Sequence, residues 1–329
     1  MKRTKTILHP GYELIGAELK EVERVLHDQS RSEVRLVMQV SDHILESGGK
    51  RFRPTALLLA ARLCGYRGPR AVSYAAAIEY AHTSTLLHDD VVDEAVTRRG
   101  RPSANGIWGN QTSVLVGDYL LFKAFHLLLR NENPRILNLV NQIAIQMAEG
   151  EAYQLTRRRK ASLTEPEYFS IITDKTAALI SVSCRIGAIL GRASAAKEKA
   201  LGDFGLRLGI AFQLVDDALD YAGEERAWGK QVGKDFAEGK MTLPLIHTFQ
   251  KASAGERKQL ARIMAQARRR AADFRIAEAL IREHDGLEYT LAKARSFVAE
   301  AKSSLHRFAS GPAKQALLEL ADFVVDRSV

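Results

Sequence analysis

The amino-acid sequence predicts an all-α fold from three observations. Its 329 residues contain only 8 prolines, and the long stretches between them are rich in Ala, Leu, Ile, Arg and Glu, which favour helices. Apolar residues recur at three- and four-residue steps, as they do at Leu317, Leu320, Ala321 and Val324. Sustained alternation of apolar and polar residues is absent from the sequence, so strands are not expected to matter.

The same periodicity predicts helices along most of the chain, over residues 12–30, 34–47, 71–93, 111–130, 135–155, 165–191 and 196–222, with another near the C-terminus. Breaks are predicted at the glycines of 47–49, at 65–69 and in a glycine-bearing loop over 223–240. Because no low-complexity linker and no repeat of fixed period divides the sequence, we expect one domain over residues 1–329.

Composition excludes several classes of protein. With 46% hydrophobic and 26% charged residues, the chain is neither disordered throughout nor collagen-like. Cys64 and Cys184 lie far apart without metal-ligand spacing, so neither a disulfide framework nor a zinc site is predicted. The sequence has no signal-peptide core and no run of 18 apolar residues, which favours a soluble, cytoplasmic protein. A net charge of +9 indicates an anionic partner: nucleic acid, an acidic membrane or a phosphorylated small molecule.

Two aspartate triplets are the most informative feature. Asp89, Asp90 and Asp93 end one predicted helix, and a second segment repeats the spacing with Asp216, Asp217 and Asp220. Like charges four residues apart destabilise a helix, and anions at a helix C-terminus do so too, so a cation is expected to compensate. Mg²⁺ fits because it takes one or two carboxylates and completes its octahedron with water and phosphate oxygens. One triplet alone is more often a solvated face, but two with matching flanks favour a metal–diphosphate site.

The segments that flank the triplets are basic and contain glycine. They supply Lys50, Arg51 and Arg53 after a Gly-Gly turn, Arg98 and Arg99 after the first triplet, and Lys230, Lys234 and Lys240 after the second. Arginine can bind phosphate through two donors, and lysine supplies a compact charge. Each cluster alone is typical of ordinary surface charge or a flexible loop.

Taken together, these motifs resemble the trans-polyprenyl diphosphate synthases over nearly the whole chain. The resemblance rests on an ordered set: GGKRFRP, HTSTLLHDDVVDEAVTRRG, SVLVGDYL, AEGE, DKTAALI, GIAFQLVDDALDY and GKDFAEGKMTLPLI. Within the family the chain is most similar to long-chain bacterial enzymes of the octaprenyl and decaprenyl type. The resemblance implies a large helical bundle of the isoprenoid synthase type with a central active-site cavity, acting as a homodimer with each active site inside one subunit.

The resemblance also implies roles for individual residues. Both aspartate triplets would hold Mg²⁺, about three ions per active site, against an allylic diphosphate from opposite walls. The allylic substrate, expected to be farnesyl diphosphate, would be bound by Arg98, Lys175, Thr176, Gln213, Lys230 and Lys240, with Lys175 also counted among the catalytic residues. Isopentenyl diphosphate would be bound by Lys50, Arg53, His82 and Arg99.

Small residues on the helix that carries the first triplet bear on the length of the product. Ser84, Ala81 and Ala77 lie 5, 8 and 12 residues before Asp89, within a stripe roughly 60° wide that runs about 7 to 18 Å below the aspartates. These small side chains are compatible with an open tunnel and a product of octaprenyl to decaprenyl length, for quinone side chains. They are equally compatible with close helix packing.

Four alternatives remain open at this point. A terpene cyclase shares the first triplet, but its second metal motif mixes Asn, Ser or Thr with Glu. A shorter-chain synthase making farnesyl or geranylgeranyl diphosphate would carry the same aspartates. A nucleic-acid-binding module is suggested by the net charge and the basic run at 157–160, but the carboxylates beside the other cations would repel a phosphate backbone, so no nucleic-acid partner is expected. An inactive regulatory subunit is disfavoured by the complete set of motifs.

Contact with a membrane during product release is also expected.

Overall fold

A computed structural model describes residues 11–157, 162–222 and 233–326. The first helices are α1 (Tyr12–Gln29), α2 (Arg35–Glu46), α3 (Phe52–Leu63) and α4 (Arg70–Val92), followed by strands β1 (Thr97–Arg98) and β2 (Arg101–Pro102). Next come α5 (Ala104–Arg130), α6 (Pro134–Arg157), α7 (Glu165–Ile172), a π-helical turn (Thr173–Ala177), α8 (Ala178–Leu190) and α9 (Ala195–Ala222). The rest are α10 (Lys234–Glu238), α11 (Leu243–Lys251), α12 (Ala254–Met264), α13 (Ala271–Glu283), α14 (Gly286–Ser304), a 3-10 turn (Leu305–Arg307) and α15 (Pro312–Asp326).

The all-α prediction is confirmed, and most predicted helices agree with the structure to within a few residues. Two differences matter for function. Helix α3 follows the predicted Gly48-Gly49 turn in a stretch for which no helix was predicted, and residues 234–238 of the predicted 223–240 loop form α10. The strands β1 and β2 form a two-residue antiparallel hairpin, which the sequence pattern did not predict.

Contacts within the described chain divide it into two compact units. The first takes the described residues of Met1–Asn141, Leu179–Gly202 and Ser304–Leu320, and the second those of Gln142–Ala178, Asp203–Ser303 and Ala321–Val329. The first aspartate triplet belongs to the first unit and the second triplet to the second unit. The single-domain expectation stays a prediction.

Helix α4 is the central helix of the first unit. It packs against α1, α3 and α5, and thirteen of its residues are buried, including the large side chains of Tyr74 and Tyr80. The Tyr80 hydroxyl donates a hydrogen bond to the Leu26 carbonyl of α1, so this buried polar group is satisfied. Packing on most sides explains why most buried residues of α4 are apolar, with Glu79, Thr83, Ser84 and Asp90 as the polar exceptions.

A close contact joins α3 to α8 in the same unit. A Cβ at Gly187 would lie 2.6 Å from the backbone nitrogen of Ala61, 2.7 Å from Ala60 Cβ and 2.7 Å from the Leu57 carbonyl oxygen. These distances are shorter than real Cβ contacts, so only glycine lets the two backbones approach this closely. The contact fixes α3, whose first residues follow the Gly48-Gly49 turn.

In the second unit, α11 packs against both α7 and α13, and α13 also packs against α12. Helix α7 begins with a complete capping box between Thr164 and Glu167, which satisfies backbone donors at its first turn. After it, the π-helical turn inserts an extra residue into the path from α7 to α8. Such insertions are frequent at functional sites because they turn side chains to a new direction.

One helix of the described residues, α5, is long and apolar enough to span a membrane by length and composition, and 39% of the relevant window is buried within the protein. Core helices pass the same criterion. The backbone of α5 also departs from helical geometry at Gly109, with φ 82° and ψ 163°.

The Gly187 contact predicts a specific sensitivity of the fold. Gly187→Ala should lower the free energy of unfolding by about 1–3 kcal/mol, because the new methyl group forces α3 and α8 apart. Gly255→Ala in α12 is the matched control, since its Cβ would meet only Ser253 Oγ at 4.0 Å. Urea unfolding monitored by circular dichroism checks both variants. Equal stability of the two would contradict the packing described for α3 and α8.

Candidate active site

The last turns of α4 place the first aspartate triplet in two environments. Asp89 and Asp93 are half-buried, and Asp93 is the residue that ends the helix, its N–H bonded to the Asp89 carbonyl at 2.8 Å. Asp90 is fully buried, and Arg98 Nε donates to both of its carboxylate oxygens at 2.8 Å. Asn105 Nδ2 also donates to the Asp90 carbonyl at 3.1 Å. Asp90 is thus held by internal donors, and Asp89 and Asp93 are the triplet's more accessible members.

A cluster of guanidinium groups surrounds His82, which lies seven residues before Asp89 and so on the same side of α4. Burial, followed by the charges of Arg53, Arg99, Arg98 and Arg51, holds the pKa of His82 well below 6.5. His82 is therefore neutral at physiological pH, with one ring nitrogen able to donate a hydrogen bond. We name His82, Arg53, Arg98 and Arg99 the basic cluster. Its excess positive potential suits an anion.

Loop geometry brings the basic cluster together. Arg99 occupies the hairpin turn between β1 and β2 in the left-handed region, with φ 51°, and is followed by Gly100 with φ 74°. A Cβ at Gly49 would lie 3.0 Å from Arg99 Nη1, so the absence of a side chain there leaves room for the guanidinium. The Gly-Gly turn and the hairpin arginine therefore lie side by side, a contact that the sequence analysis did not predict.

Arg51 is an anchor of this loop. Its guanidinium pairs with Glu23 of α1 and with Glu79 of α4, the latter at 2.8 Å, and Glu79 is only 5% exposed. Arg51 also has a positive φ of 45° at the start of α3. The ion pairs hold the loop in this unusual conformation and thereby fix Lys50 and Arg53 on either side of it.

The three residues that were assigned to product length, Ala77, Ala81 and Ser84, lie on helix α4, as predicted. Ala77 and Ser84 are 1% exposed, and Ala81 is half-buried. The tunnel and the close-packing interpretations both expect small buried residues here, so this assignment stays a prediction.

The second triplet, in the second unit, repeats the division seen in the first. Asp216 is half-buried, whereas Asp217 is 2% exposed and accepts hydrogen bonds from the Tyr168 hydroxyl at 2.6 Å and from Gln213 Nε2 at 2.7 Å. Burial, followed by the charge of Asp235, raises the pKa of Asp217 to about 7. Both causes disfavour the ionised form of the Asp217 carboxyl, and a cation bound nearby would favour that form.

The π-helical turn supplies Lys175 and Thr176. Thr176 Oγ1 lies 3.1 Å from Gln213 Oε1, which links the turn to the hydrogen bonds around Asp217. Lys175 Nζ pairs with Glu151 and lies 3.3 Å from Gln154 Oε1, both on α6. The turn approaches α9 closely, since a Cβ at Gly209 would lie 2.5 Å from Ala177 Cα. Hydrogen bonds thus connect the predicted residues Thr176, Gln213 and Asp217, while the side chain of Lys175 contacts α6.

Asp220 joins the second triplet to α10. Its carboxylate accepts hydrogen bonds from the backbone N–H groups of Lys234 at 3.2 Å and Asp235 at 3.0 Å, so it caps the first turn of α10. Lys240 follows α10, and its Nζ lies 2.6 Å from Glu238 Oε2. Lys230, the remaining predicted substrate-binding residue, lies outside the described residues.

The six aspartates that were predicted to bind metal lie in two kinds of environment. Asp90, Asp217 and Asp220 are buried and accept hydrogen bonds from internal donors, whereas Asp89, Asp93 and Asp216 are half-buried. The metal assignment of all six stays a prediction. Among the described residues, no three Asp, Glu, His or Cys side chains converge as a metal-ligand set. Mg²⁺ does not require one, because it keeps several waters and uses substrate phosphate oxygens.

Sequence reasoning missed several supporting residues. Tyr168, Glu79 and Glu23 lie far along the chain from their partners Asp217 and Arg51, so no local motif pointed to them. Asp235 and Glu238 are visible in the sequence as acids between the lysines of GKDFAEGK, but only the lysines of that segment were given a predicted role.

Comparison with known proteins supports this arrangement of motifs. The family model described as "Polyprenyl synthetase" matches residues 34–281. An octaprenyl diphosphate synthase from Haemophilus influenzae is 39% identical over 315 residues, covering 96% of this chain and 95% of that protein.

Solved structures agree. A polyprenyl synthase from Caulobacter crescentus CB15, complexed with calcium and isoprenyl diphosphate, superposes with a TM-score of 0.93 at 40% identity, covering 97% of each chain. A decaprenyl diphosphate synthase from Rhodobacter capsulatus gives 0.91 at 41% identity, covering 97% of this chain and 98% of that one. On the family match and this full-length similarity, the chain belongs to the polyprenyl synthetase family of prenyltransferases.

Proposed function

We propose that this prenyltransferase is a long-chain trans-polyprenyl diphosphate synthase. It condenses isopentenyl diphosphate successively onto an allylic diphosphate, preferably farnesyl diphosphate, to give an octaprenyl to decaprenyl product. The observation that carries the proposal is that His82, on which the charges of Arg53, Arg98 and Arg99 act, shares helix α4 with the half-buried carboxylates of Asp89 and Asp93. The arginines suit the phosphate groups of a diphosphate, and the carboxylates suit a metal ion bound to it. The octaprenyl and decaprenyl relatives support the long chain.

We assign the two substrates to different groups of residues. Lys50, Arg53, His82 and Arg99 bind isopentenyl diphosphate, while Arg98, Lys175, Thr176, Gln213, Lys230 and Lys240 bind the allylic substrate. Neutral His82 donates a hydrogen bond to a phosphate oxygen, and the arginines supply charge and forked donors. Arg98 keeps its bond to Asp90 and uses its remaining N–H groups on substrate.

The donor set fits a hard divalent cation. Asp89, Asp93 and Asp216 are half-buried carboxylates, the ligand type that Mg²⁺ prefers, and we assign them as its ligands, with about three ions per active site. When bound, Mg²⁺ would stabilise the charge that develops on the leaving pyrophosphate. Asp90, Asp217 and Asp220 support these positions through their bonds to Arg98, Tyr168 and the start of α10.

The reaction follows from these positions. The allylic C–O bond breaks, and pyrophosphate leaves with the electron pair while the cationic side chains that bind it stabilise its charge. The double bond of isopentenyl diphosphate attacks the allylic cation, and loss of a proton, with the departing pyrophosphate as base, restores an alkene one isoprene unit longer. The basic cluster holds isopentenyl diphosphate in line for this attack. Water must be excluded, because it would trap the cation as an alcohol.

Incubation with Mg²⁺, labelled isopentenyl diphosphate and farnesyl diphosphate tests the proposal. Chromatography of the dephosphorylated products should show octaprenyl to decaprenyl alcohols. Ser84→Phe and Ala81→Phe should each shorten the product, because an aromatic ring would close the proposed tunnel below the aspartates. Ser84→Ala keeps the side chain small and should leave product length unchanged.

Other outcomes of that assay are informative. A farnesyl or geranylgeranyl product from the unaltered protein would support the shorter-chain alternative. Unchanged lengths in both Phe variants would remove the tunnel assignment. Absence of any elongation, with salt-sensitive binding to a polyanion, would favour the nucleic-acid-binding module instead.

The two kinds of aspartate should respond differently to substitution. Asp89→Asn and Asp216→Asn should each lower turnover by at least about 100-fold while leaving the unfolding midpoint unchanged or slightly raised, because half-buried like charges are removed. Asp90→Ala should lower the free energy of unfolding by about 3 kcal/mol, since it leaves Arg98 without its buried partner. Steady-state kinetics and thermal unfolding measure both effects. Loss of the helical signal in Asp89→Asn would indicate a structural role for Asp89. Wild-type stability in Asp90→Ala would contradict the structural role of Asp90.

We further propose that the protein is a homodimer formed through α5. Leu115, Phe122 and Leu129 are spaced seven residues apart on this helix and are 68%, 69% and 59% exposed. A seven-residue repeat puts them on one stripe about 21 Å long. An exposed apolar stripe of this regularity suits a second copy of the same helix, which would present the same spacing.

Charged substitutions on this stripe should dissociate the dimer. Leu115→Glu and Phe122→Glu place carboxylates where two apolar surfaces would meet, so the sedimentation coefficient should fall from the dimer value to the monomer value. Val34→Glu, at an exposed apolar residue outside α5, should leave the dimer intact. A monomeric unaltered protein at micromolar concentration would contradict the proposal.

The location and downstream use of the product are also proposals. We infer a cytoplasmic enzyme that touches a membrane to release its apolar product, which then serves as a quinone side chain. The net charge of +9 supports contact with an acidic lipid surface.

A further inference from the structure

Arg269, in the connection between α12 and α13, donates hydrogen bonds to four backbone carbonyls. Its Nε bonds to Phe236 O at 2.7 Å and its Nη2 to Ala237 O at 3.0 Å, both in α10. Its Nη1 bonds to Met264 O at 2.9 Å and to Gln266 O at 2.8 Å, at the end of α12. One guanidinium therefore fastens α10 to α12.

Helix α10 depends on such external support. It has five residues, far fewer than an isolated helix needs to be stable in water. The Asp220 carboxylate caps its N-terminus, and the Arg269 guanidinium binds carbonyls in its last turn. An anion at the N-terminus and a cation at the C-terminus both match the helix dipole. The two ends of α10 are thus held by opposite charges from two other elements.

Aromatic packing supports one side of α10 without fixing its orientation. Phe236 is 1% exposed and meets Phe274 edge-on, with ring centroids 5.6 Å apart. Phe274 in turn stacks on Tyr221 of α9, with centroids 5.9 Å apart and planes at 15°. A Cβ at Gly233 would lie 2.7 Å from the Phe274 ring, and Gly233 has a φ of 78°, so the entry to α10 tolerates only glycine. Apolar contacts are not directional, whereas the four bonds from Arg269 are.

The orientation of α10 determines where Lys240 lies. Gly239 ends the helix with a φ of 79°, and the Lys240 N–H bonds back to the Asp235 carbonyl at 2.9 Å. The Lys240 ammonium lies 2.6 Å from Glu238 Oε2 and 3.8 Å from Asp235 Oδ1, so it is oriented by side chains of α10 itself. Any rotation or fraying of α10 moves Lys240.

We propose that Arg269 is a positioning residue for the allylic diphosphate site, which it serves by holding α10 and hence Lys240 in place. The inference rests on the proposed function, since it takes Lys240 as a ligand of the allylic diphosphate. Arg269 itself touches no substrate in this account; its guanidinium is occupied by backbone carbonyls.

The test compares Arg269→Lys and Arg269→Ala with Arg268→Ala, whose exposed side chain is one residue away. Arg269→Ala should raise the KM for the allylic diphosphate by about 10- to 100-fold, because displacement of a binding group by about 1 Å has effects of that size. The KM for isopentenyl diphosphate should change less than about twofold, since its proposed ligands lie elsewhere. Arg269→Lys should be intermediate, because one ammonium cannot reproduce the fork. Arg268→Ala should match the unaltered protein.

A second measurement separates positioning from general destabilisation. Hydrogen exchange of a peptide covering residues 233–241 should speed up in both Arg269 variants, while exchange across α4 stays unchanged. If Arg269→Ala fails to fold, Arg269→Lys supplies the comparison. Equal effects on both KM values, or unchanged exchange at 233–241, would overturn the positioning role. Absence of elongation in the unaltered protein would instead reject the proposed function.

Discussion

A carboxylate removed from water must find donors inside the protein, and each aspartate triplet sends at least one member into the interior. Asp90 is bound by Arg98, Asp217 by Tyr168 and Gln213, and Asp220 by the backbone of α10. These bonds connect the acidic motifs to the basic hairpin, to α7 and to the lysine-bearing segment. The segments that we propose to bind substrate thereby acquire fixed positions that their short lengths and glycines would not provide.

Cationic side chains in each unit likewise have acidic partners. Internal acids hold Arg51 in the first unit, and acids of α6 and α10 lie beside Lys175 and Lys240 in the second. Burial, followed by the charges of Arg53, Arg99 and Arg98, lowers the pKa of His82. Preorganised charge of this kind stabilises an anion without reorganisation at the moment of reaction.

Periodicity predicted the long helices up to residue 222 and the last helix, because long amphipathic helices repeat their apolar positions many times. No ranges were predicted for α3 or for α11 to α14. Helix α10 escaped prediction because five residues contain too few turns for a repeat, and its stability comes from Asp220 and Arg269. The π-helical turn escaped for a similar reason, since one inserted residue leaves the apolar pattern of 165–191 almost unchanged.

Local motifs located the aspartates and the basic segments but could not separate their members by role. In the DDxxD motif, nothing in the spacing distinguishes Asp90 from Asp89. Asp90 differs because it accepts hydrogen bonds from Arg98, which lies eight residues later in strand β1. Tyr168 and Asp217 are 49 residues apart, and Arg51 and Glu79 are 28 apart, so those partners became visible only in the folded chain.

The central proposal is that Asp89, Asp93 and Asp216 bind metal. Asp90, Asp217 and Asp220 instead form hydrogen bonds with other groups of the protein. A crystal structure of the protein with a non-hydrolysable allylic thiodiphosphate and Mn²⁺ in place of Mg²⁺ tests it directly, because anomalous scattering locates the ions. The account predicts ions bonded to Asp89, Asp93 and Asp216, with Asp90 still paired to Arg98 and Asp217 to Tyr168. Anomalous peaks bonded to Asp90 or Asp217, or no peak at any of the six carboxylates, would contradict it.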